Sequence, residues 1–143
     1  MEFGIFSQMH CPPWDDEHSR FLRELEVSEL CDAVGFKYDW SPEHHFLEHY
    51  SHQPAPEVYL SWVAARTKRI HVGTAITNIT AKVNHPARVA ERIATLDHLS
   101  EGRVEFGTGR GSSSAEWAGS NRRATWTDAA WRTASAARCA WAS

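Results

Sequence analysis

Short apolar runs recur along the first 112 residues at intervals that predict buried strands. Glu2–Ser7 is the first run, and Phe36–Ser41 and Arg69–Ile76 follow it. In the third, Ile70 and Val72 alternate with His71 and Gly73, the two-residue period of a strand. Arg103–Phe106 is a fourth run and leads into a segment with glycines at 107, 109 and 111.

Three longer stretches between these runs have apolar positions at helical spacing. Asp15–Gly35 starts with acidic residues and ends at a glycine, which suits the two ends of a helix. Pro54–Lys68 ends in basic residues, and Pro86–Ser100 starts with a proline at a favourable position. The predicted apolar stripes are Val27, Leu30, Cys31 and Val34 on the first helix, Ala55, Val58, Tyr59 and Trp62 on the second, and Val89, Ile93 and Leu96 on the third.

The resulting order is β-α-β-α-β-α-β. Short strands separated by helices of this length predict an α/β fold with a parallel sheet and right-handed crossovers. A chain of 143 residues is long enough for one such domain with a core. Ligands of parallel α/β sheets bind at the carboxyl ends of the strands, so those ends are the places to look for a site.

The composition changes at Trp117. Residues 117–143 contain nine Ala, four Trp and four Arg, but no Leu, Ile, Val, Phe or Met. Residues 1–116 carry 11 basic against 17 acidic side chains, whereas the last 27 carry four against one. Without branched aliphatic residues, a segment packs poorly as a core helix. We therefore predict a domain over residues 1–116 and a tail over 117–143 that is a frameshift product or disordered; an Ala-rich amphipathic tail is the alternative.

Charge and cysteine usage narrow the function classes. A net charge of −3 and a pI near 6.3 give no electrostatic basis for nucleic acid or an anionic membrane as a partner. No apolar run has the ~18 residues that a membrane span needs, and the first residues have no pattern of a secretory signal. Cys11, Cys31 and Cys139 are scattered and odd in number. We expect reduced thiols in a cytoplasmic protein.

The densest candidate chemistry lies in residues 43–52, which include four histidines and two glutamates. A metal site is one interpretation, although the HExxH order is absent. A solvated polar loop is another. The third follows from position, because Glu43, His44 and His45 stand where the second strand ends. A histidine there can act as general acid or base, and a nearby carboxylate can orient its ring.

The ends of the third and fourth strands are the other candidates. The glycines at 107, 109 and 111 do not have GxGxxG spacing, so a dinucleotide fingerprint is a weak interpretation. Glycines do let a phosphate approach the backbone, and Arg110 among them offers a bidentate donor; a flexible exit from the strand is the alternative. Small residues in Val72–Ile76 can let a flat ring lie against the backbone.

Taken together and in order, these segments resemble the bacterial luciferase-like flavin monooxygenase family. The resemblance covers residues 1–116, and the second strand departs from it with polar residues where the family is apolar. The matching pieces are Phe3-Gly4-Ile5-Phe6, Gly35-Phe36, Glu43-His44-His45-Phe46, Val72-Gly73-Thr74-Ala75, His85-Pro86-x-Arg88, Leu96-Asp97-x-Leu99-Ser100-x-Gly102-Arg103 and Phe106-Gly107-x-Gly109-Arg110-Gly111.

The resemblance implies a TIM barrel that binds reduced FMN and uses O₂ to oxidise a small organic molecule. His44 matches the family's catalytic, proton-transferring histidine, and Glu43 lies beside it in the flavin pocket. Ala75 and Ile76 match a segment against the flavin ring where the family has a cis peptide, and Arg110 matches an arginine near the flavin phosphate. No metal is implied. A flavin reductase as supplier of reduced flavin, and a dimer through the second and third helices, are also implied; a deazaflavin is an alternative cofactor.

Length sets a limit on these expectations. A TIM barrel needs about 250 residues, so the resemblance implies a partial barrel: three βα units and a fourth strand. We expect the chain to be truncated and inactive alone. Two other hypotheses stay open at this point: a non-catalytic fragment that associates through the second and third helices, and a histidine-rich metal-binding protein.

Overall fold

The computed structural model describes residues 1–47 and 49–121. Strands and helices alternate throughout this part of the chain, in the predicted order and with one further helix at the end. The elements are β1 (Gly4–Phe6), α1 (Glu17–Val34), β2 (Tyr38–Ser41), α2 (Pro56–Arg66), β3 (His71–Asn78), α3 (Pro86–Leu99), β4 (Val104–Gly109) and α4 (Ser114–Asn121).

The four strands form one parallel sheet in the order β1-β2-β3-β4. Ile5, Asp39, Val72 and Val104 are successive partners across it. The predicted α/β class with parallel pairing is confirmed. Because all four strands run in the same direction, their carboxyl ends lie along one edge, and the loops after them meet there.

The ends of α1 and α3 have local causes in the sequence. Asp16 caps α1 by accepting a hydrogen bond from the Ser19 N–H at 2.9 Å, and Gly35 follows with φ of 90°, a conformation that favours glycine. Pro86 stands at the start of α3, as predicted, and the His85 side chain accepts from the Ala87 N–H. These signals are short-range, which is why the sequence predicts them well.

Strand β4 is longer than predicted, because it takes in most of the glycine segment. The strand continues to Gly109 rather than ending at Phe106. A Cβ on Gly107 would lie only 2.2 Å from the Thr74 carbonyl oxygen, so glycine permits the close approach of β4 to β3. The Thr74 hydroxyl donates to the Gly107 carbonyl at 2.9 Å. The alternative interpretation of a flexible exit from the strand therefore does not hold for residues 107–109.

The core lies between the sheet and its helices. It is built mainly from α2, with one residue each from α1, β3 and α3. Its buried members are Leu25, Tyr59, Leu60, Val63, Ala64, Val72 and Leu96.

The apolar stripe predicted for α3 is correct, but those for α1 and α2 are largely wrong. On α3, Val89 and Leu96 are buried. On α1, Leu30 is 60% exposed, and on α2, Val58 is 68% exposed. The buried side of α1 instead includes Glu24. The spacing of apolar residues did not identify the buried sides of these helices, because α1 and α2 carry apolar residues on more than one side.

A polar residue stands in the middle of the helix-facing side of β2. Asp39 is 4% exposed, and its Oδ2 has no hydrogen-bond partner among the described residues. Burial raises the pKa of Asp39, and a hydrogen bond with Ser28 opposes the shift. Ser28 itself lies 3.0 Å from the Tyr59 hydroxyl. Asp39 is one of the polar residues by which the second strand departs from the family pattern, and the structure buries it.

The sheet face opposite the core is lined by aromatic residues. Trp40 lies across Gly73, where a Cβ would be 2.5 Å from its ring. Its partner in register, Phe6, is 49% exposed. In the described part of the chain, residues 1–47 and 49–121, this face is therefore only partly covered.

Helix α4 crosses the predicted domain boundary at residue 116. It runs from Ser114 to Asn121, so the first residues of the segment predicted as a tail continue a helix. The prediction for 122–143 lies outside the described residues. No helix of the described part is both long and apolar enough to cross a membrane.

Candidate active site

Residues at or near the carboxyl ends of all four strands line a pocket of about 310 Å³. The pocket has an apolar wall, a histidine with polar neighbours, and an arginine. Its lining residues are Phe6, Gln8, Glu43, His44, Tyr50, Ala75, Ile76, Gly109, Arg110, Gly111 and Ser112.

The pocket brings together every site residue that the sequence predicts. Glu43 and His44 follow β2, Ala75 and Ile76 lie in β3, and Arg110 comes directly after β4. They belong to three separate segments of the chain. The parallel sheet brings them together because it aligns the ends of β2, β3 and β4.

His44 is held on both ring nitrogens. Nδ1 lies 3.0 Å from Oε1 of Glu116, and Nε2 lies 3.2 Å from Oε1 of Gln8. Its backbone N–H donates to the Gln53 carbonyl, and its ring packs edge-on against Tyr50 with centroids 5.7 Å apart. Since a carboxylate only accepts, Nδ1 is the donor to Glu116. The amide oxygen of Gln8 also only accepts, so Nε2 is the donor in that contact, on the side of Gln8, which lines the pocket.

Glu116 is the carboxylate that orients this histidine. It is 3% exposed. Oε1 also accepts from the His45 N–H at 3.2 Å, and Oε2 accepts from the N–H groups of Ser112 and Ser113. Burial alone would raise its pKa, but these hydrogen bonds outweigh burial and lower the pKa of Glu116 to about 2. Glu116 is therefore an anion next to His44 at neutral pH.

Glu43 lines the pocket, but its two oxygens are engaged elsewhere. Its side chain is 3% exposed. Oε1 lies 2.8 Å from Nε2 of His45 and accepts from Asn84 at 2.9 Å. Oε2 accepts from the backbone N–H of Asn78, at the end of β3, at 2.9 Å. The carboxylate thus joins the ends of β2 and β3.

Ala75 and Ile76 form an apolar wall of the pocket. Their peptide bond is cis, as the family resemblance implies, and the register between β3 and β4 shifts between Thr74 and Thr77. A Cβ on Gly109 would lie 2.9 Å from Cγ1 of Ile76. The glycine in β4 therefore lets Ile76 sit directly against the neighbouring strand.

Arg110 lines the pocket directly after the end of β4, where the strand gives way to a loop. Its neighbour Gly111 has φ of 82°, a left-handed conformation that glycine adopts readily. A Cβ on Gly111 would lie 3.1 Å from Nδ2 of the Asn78 side chain. The loop thus turns tightly past the end of β3, and Arg110 is an exposed cation beside an apolar wall.

The remaining histidines of the cluster are divided among other partners. His45 contacts Glu43, and Nδ1 of His52 lies 2.5 Å from Oε1 of Glu17. His49 is exposed. In residues 1–47 and 49–121, no three His, Cys, Asp or Glu side chains are grouped so that they could hold a metal ion.

Several contributors to the site escaped the sequence interpretation. Gln8, Tyr50 and Ser112 line the pocket, and Glu116 orients His44. Glu116 is 72 positions from His44 in the chain, and it falls on the last residue of the predicted domain. Nothing local marks it. The only available indication is that a histidine at a strand end needs a carboxylate to set its tautomer, and many carboxylates could supply it.

Comparison with known proteins agrees with this arrangement. The family model of luciferase-like monooxygenase matches residues 1–132. The 4-hydroxyprotoasukamycin monooxygenase of Streptomyces nodosus subsp. asukaensis is 35% identical over 112 residues, which are 78% of this chain and 29% of that protein. The chain thus spans less than a third of the length of that curated relative.

Solved structures extend the agreement to the fold. Monooxygenase RslO1 from Streptomyces bottropensis superposes with a TM-score of 0.78 at 30% identity, covering 100% of this chain and 44% of its own. The coenzyme F420 dependent tetrahydromethanopterin reductase from Methanopyrus kandleri gives 0.60 at 30% identity, over 82% of this chain and 29% of its own. The prediction of a partial TIM barrel is confirmed. This chain belongs to the luciferase-like monooxygenase family.

Proposed function

We propose that this chain carries the cofactor-side half of a flavin-dependent monooxygenase, in which reduced flavin and O₂ oxidise a small organic molecule. One observation carries the proposal. His44, which is held by Glu116, lines a single pocket at the strand ends together with the apolar Ala75–Ile76 wall and Arg110. The apolar wall matches the flat ring system of a flavin nucleotide, and the cation matches its phosphate.

The pocket residues fit such a cofactor chemically. Ala75 and Ile76 offer an apolar surface for a flat ring system. Gly109 and Gly111 keep the backbone of the neighbouring segment uncovered. Arg110 offers a planar, permanently charged donor for a phosphate. When bound, the flavin supplies the electrons and the site of reaction with O₂.

His44 is the group that we propose to move a proton during the reaction. Glu116 accepts from Nδ1, and Nε2 donates to the amide oxygen of Gln8, so Nε2 is the nitrogen that can release a proton toward the pocket and take it up again. The adjacent Glu116 anion stabilises the imidazolium, the form of the ring in which both nitrogens carry a proton. Proton transfer by a positioned side chain contributes typically about 10²–10⁴-fold to a rate.

FMN is the cofactor that we propose, and a deazaflavin is the alternative. Both have a flat tricyclic ring and a phosphate, so the apolar wall and Arg110 would accommodate either. FMN is favoured because the relatives with the higher structural agreement are monooxygenases, and a monooxygenase needs a flavin that reacts with O₂. We further propose that the substrate is a small organic molecule and that a flavin reductase supplies the reduced flavin. The proposal also includes assembly as a dimer and a cytoplasmic location.

The proposal is tested by titrating ¹⁵N-labelled protein with FMN, riboflavin and inorganic phosphate, followed by NMR. We expect FMN to shift the amide signals of Ala75, Ile76 and Arg110, riboflavin to shift those of the wall, and phosphate to shift that of Arg110. The pocket is open on one side, so we expect binding weaker than micromolar, with Kd on the order of 0.1–1 mM. Saturation by riboflavin or FMN without any shift at Ala75 and Ile76 would contradict the proposed site.

A further inference from the structure

Glu43, next to His44, is held by a chain of hydrogen bonds that reaches the surface between α2 and α3. Asn84 donates from Nδ2 to Oε1 of Glu43 at 2.9 Å. Arg92 donates from Nη2 to Oδ1 of Asn84 at 2.6 Å, and from Nη1 to Oε1 of Glu57 at 2.6 Å. The chain therefore runs from α2 through α3 to the pocket.

Every hydrogen-bonding group of the Asn84 side-chain amide has a partner. Nδ2 donates both to Glu43 and to the carbonyl oxygen of Asn78, the latter at 2.8 Å. Oδ1 accepts from Arg92. A side-chain amide has two donor hydrogens and one oxygen, and all are used here. The guanidinium can only donate, so it fixes which end of the amide faces Glu43.

The same contacts set the end of β3. Glu43 accepts from the Asn78 N–H with Oε2, while Asn84 donates to the Asn78 carbonyl. Asn78 is thus bound on both sides of its backbone, two residues after Ile76. Any loosening of Asn84 would act on the wall of the pocket and on the residue before His44 together.

We propose that Asn84, oriented by Arg92, is a positioning residue that fixes Glu43 and the end of β3 for cofactor binding. The inference rests on the proposed flavin site. Asn84 does not line the pocket, so it acts through Glu43 and Asn78. Arg92 and Glu57 line a surface groove of about 350 Å³ between α2 and α3, and the chain links that surface to the pocket.

The substitution Asn84→Asp tests the proposed positioning role, because the aspartate side chain has nearly the same shape as that of asparagine. The new carboxylate keeps its contact with Arg92 but turns an acceptor toward Glu43 and the Asn78 carbonyl. We expect hydrogen exchange of the Asn78 amide to accelerate at least about tenfold, since local opening is then easier. We expect the FMN titration to show at least about fivefold weaker binding. Arg92→Gln is a milder variant, because it leaves the Asn84 side chain unchanged, and it should change both measurements in the same direction.

Two further proteins separate positioning from a general loss of stability. Arg66→Gln removes a guanidinium from an exposed ion pair with Glu29 on α1 and should leave both measurements unchanged. The double variant Glu43→Gln with Asn84→Asp places the donor amide at position 43 and the acceptor carboxylate at position 84. It should recover part of the lost protection of the Asn78 amide against exchange and part of the lost FMN binding.

The outcomes separate the two proposals. If Asn78 exchanges at the same rate in the Asn84→Asp and unsubstituted proteins, Asn84 does not position the end of β3. If exchange accelerates and FMN binds equally well, the positioning does not serve the pocket, and the inference is wrong. If the unsubstituted protein shows no response to FMN, the flavin site is overturned, while the exchange rates still decide whether Asn84 and Arg92 hold Glu43.

Discussion

At the scale of single residues, the site depends on a contact between residues far apart in the chain. His44 lies at a strand end where a parallel sheet presents its ligands, and the sequence places it there. Its chemistry depends on Glu116, which lies in the first turn of α4 and is bound by backbone N–H groups. The pair resembles other carboxylate–histidine arrangements, in which the carboxylate sets the tautomer and supports the positive ring.

The low pKa of Glu116 makes a prediction about stability. Its pKa falls from an ordinary 4.5 to about 2 in the folded protein. A lowered folded-state pKa adds stability that is present above about pH 4.5 and lost as the pH falls toward 2. Glu116→Gln should therefore cost about 1–3 kcal/mol of unfolding free energy at pH 7, with the difference narrowing as the pH falls below about 5.

Urea unfolding of the two proteins between pH 7 and pH 3 measures this difference. Glu91→Gln is a suitable control, because Glu91 pairs with Arg88 on the exposed surface of α3, where an ion pair contributes little. A constant difference between the Glu116→Gln and unsubstituted proteins across this range would contradict the assigned ionisation.

At the scale of elements, β2 and β4 carry the clearest conflicts between local preference and tertiary position. β2 buries Asp39 between Ile5 and Val72, two apolar partners in register. β4 carries Gly107 and Gly109, which weaken a strand intrinsically but let it approach β3. The glycines have a steric reason in the contacts with Thr74 and Ile76. The hydrogen bond with Ser28 offsets the burial of Asp39 only in part, because its Oδ2 has no partner among the described residues.

Replacement of Asp39 by asparagine should therefore stabilise the fold at neutral pH. Burial raises the pKa of Asp39, so its stability contribution is present below an ordinary value near 3.8 and is lost as the pH rises through the raised folded-state pKa. The asparagine side chain does not ionise and has nearly the same shape as aspartate. We expect a gain of about 1–2 kcal/mol at pH 7, and none near pH 3.

Thermal unfolding at several pH values measures this gain. Asp32→Asn is an informative comparison, because Asp32 accepts from the N–H groups of Arg69 and Ile70, and its pKa is lowered by them despite burial. That substitution should destabilise the protein at neutral pH. The assignment would be wrong if both substitutions shifted the midpoint in the same direction.

At the scale of the whole molecule, the described residues form one layer of helices on one face of a four-stranded sheet. The other face carries Trp40 and Phe6 and is half-open, and the outer sides of α1 and α2 expose Leu30, Val58 and Trp62. Exposed apolar groups of this kind favour association. The predicted dimer would use the surface of α2 and α3. It can therefore be tested separately from association through α1 or through the open face of the sheet.

Val58→Asp tests the predicted dimer. Val58 lines the groove between α2 and α3, and a charge there would be desolvated by a second copy. We expect size-exclusion chromatography with light scattering to give a dimer for the unsubstituted protein and at least about tenfold weaker dimerisation for Val58→Asp. Leu30→Asp on α1, with similar exposure of 60%, is the matched control and should leave the dimer intact. Equal effects of both substitutions would locate the contact elsewhere.

The sequence by itself determined the order of elements, the parallel α/β class, the family, and which residues stand at the strand ends. These properties depend on spacing, caps and prolines within a few residues of one another, and on the order of characteristic segments along the chain. Glu43, His44, Ala75, Ile76 and Arg110 could be named from position and resemblance, because every parallel sheet brings its strand ends to one edge.

Only the tertiary structure decided which groups those residues touch. It paired His44 with Glu116, turned both oxygens of Glu43 toward Asn78, Asn84 and His45, and drew Gly107 and Gly109 into a strand. It also selected the buried sides of α1 and α2, where apolar residues point in several directions. Each of these results depends on the register and distance between segments that lie tens of residues apart, and no local pattern in the chain encodes such a distance.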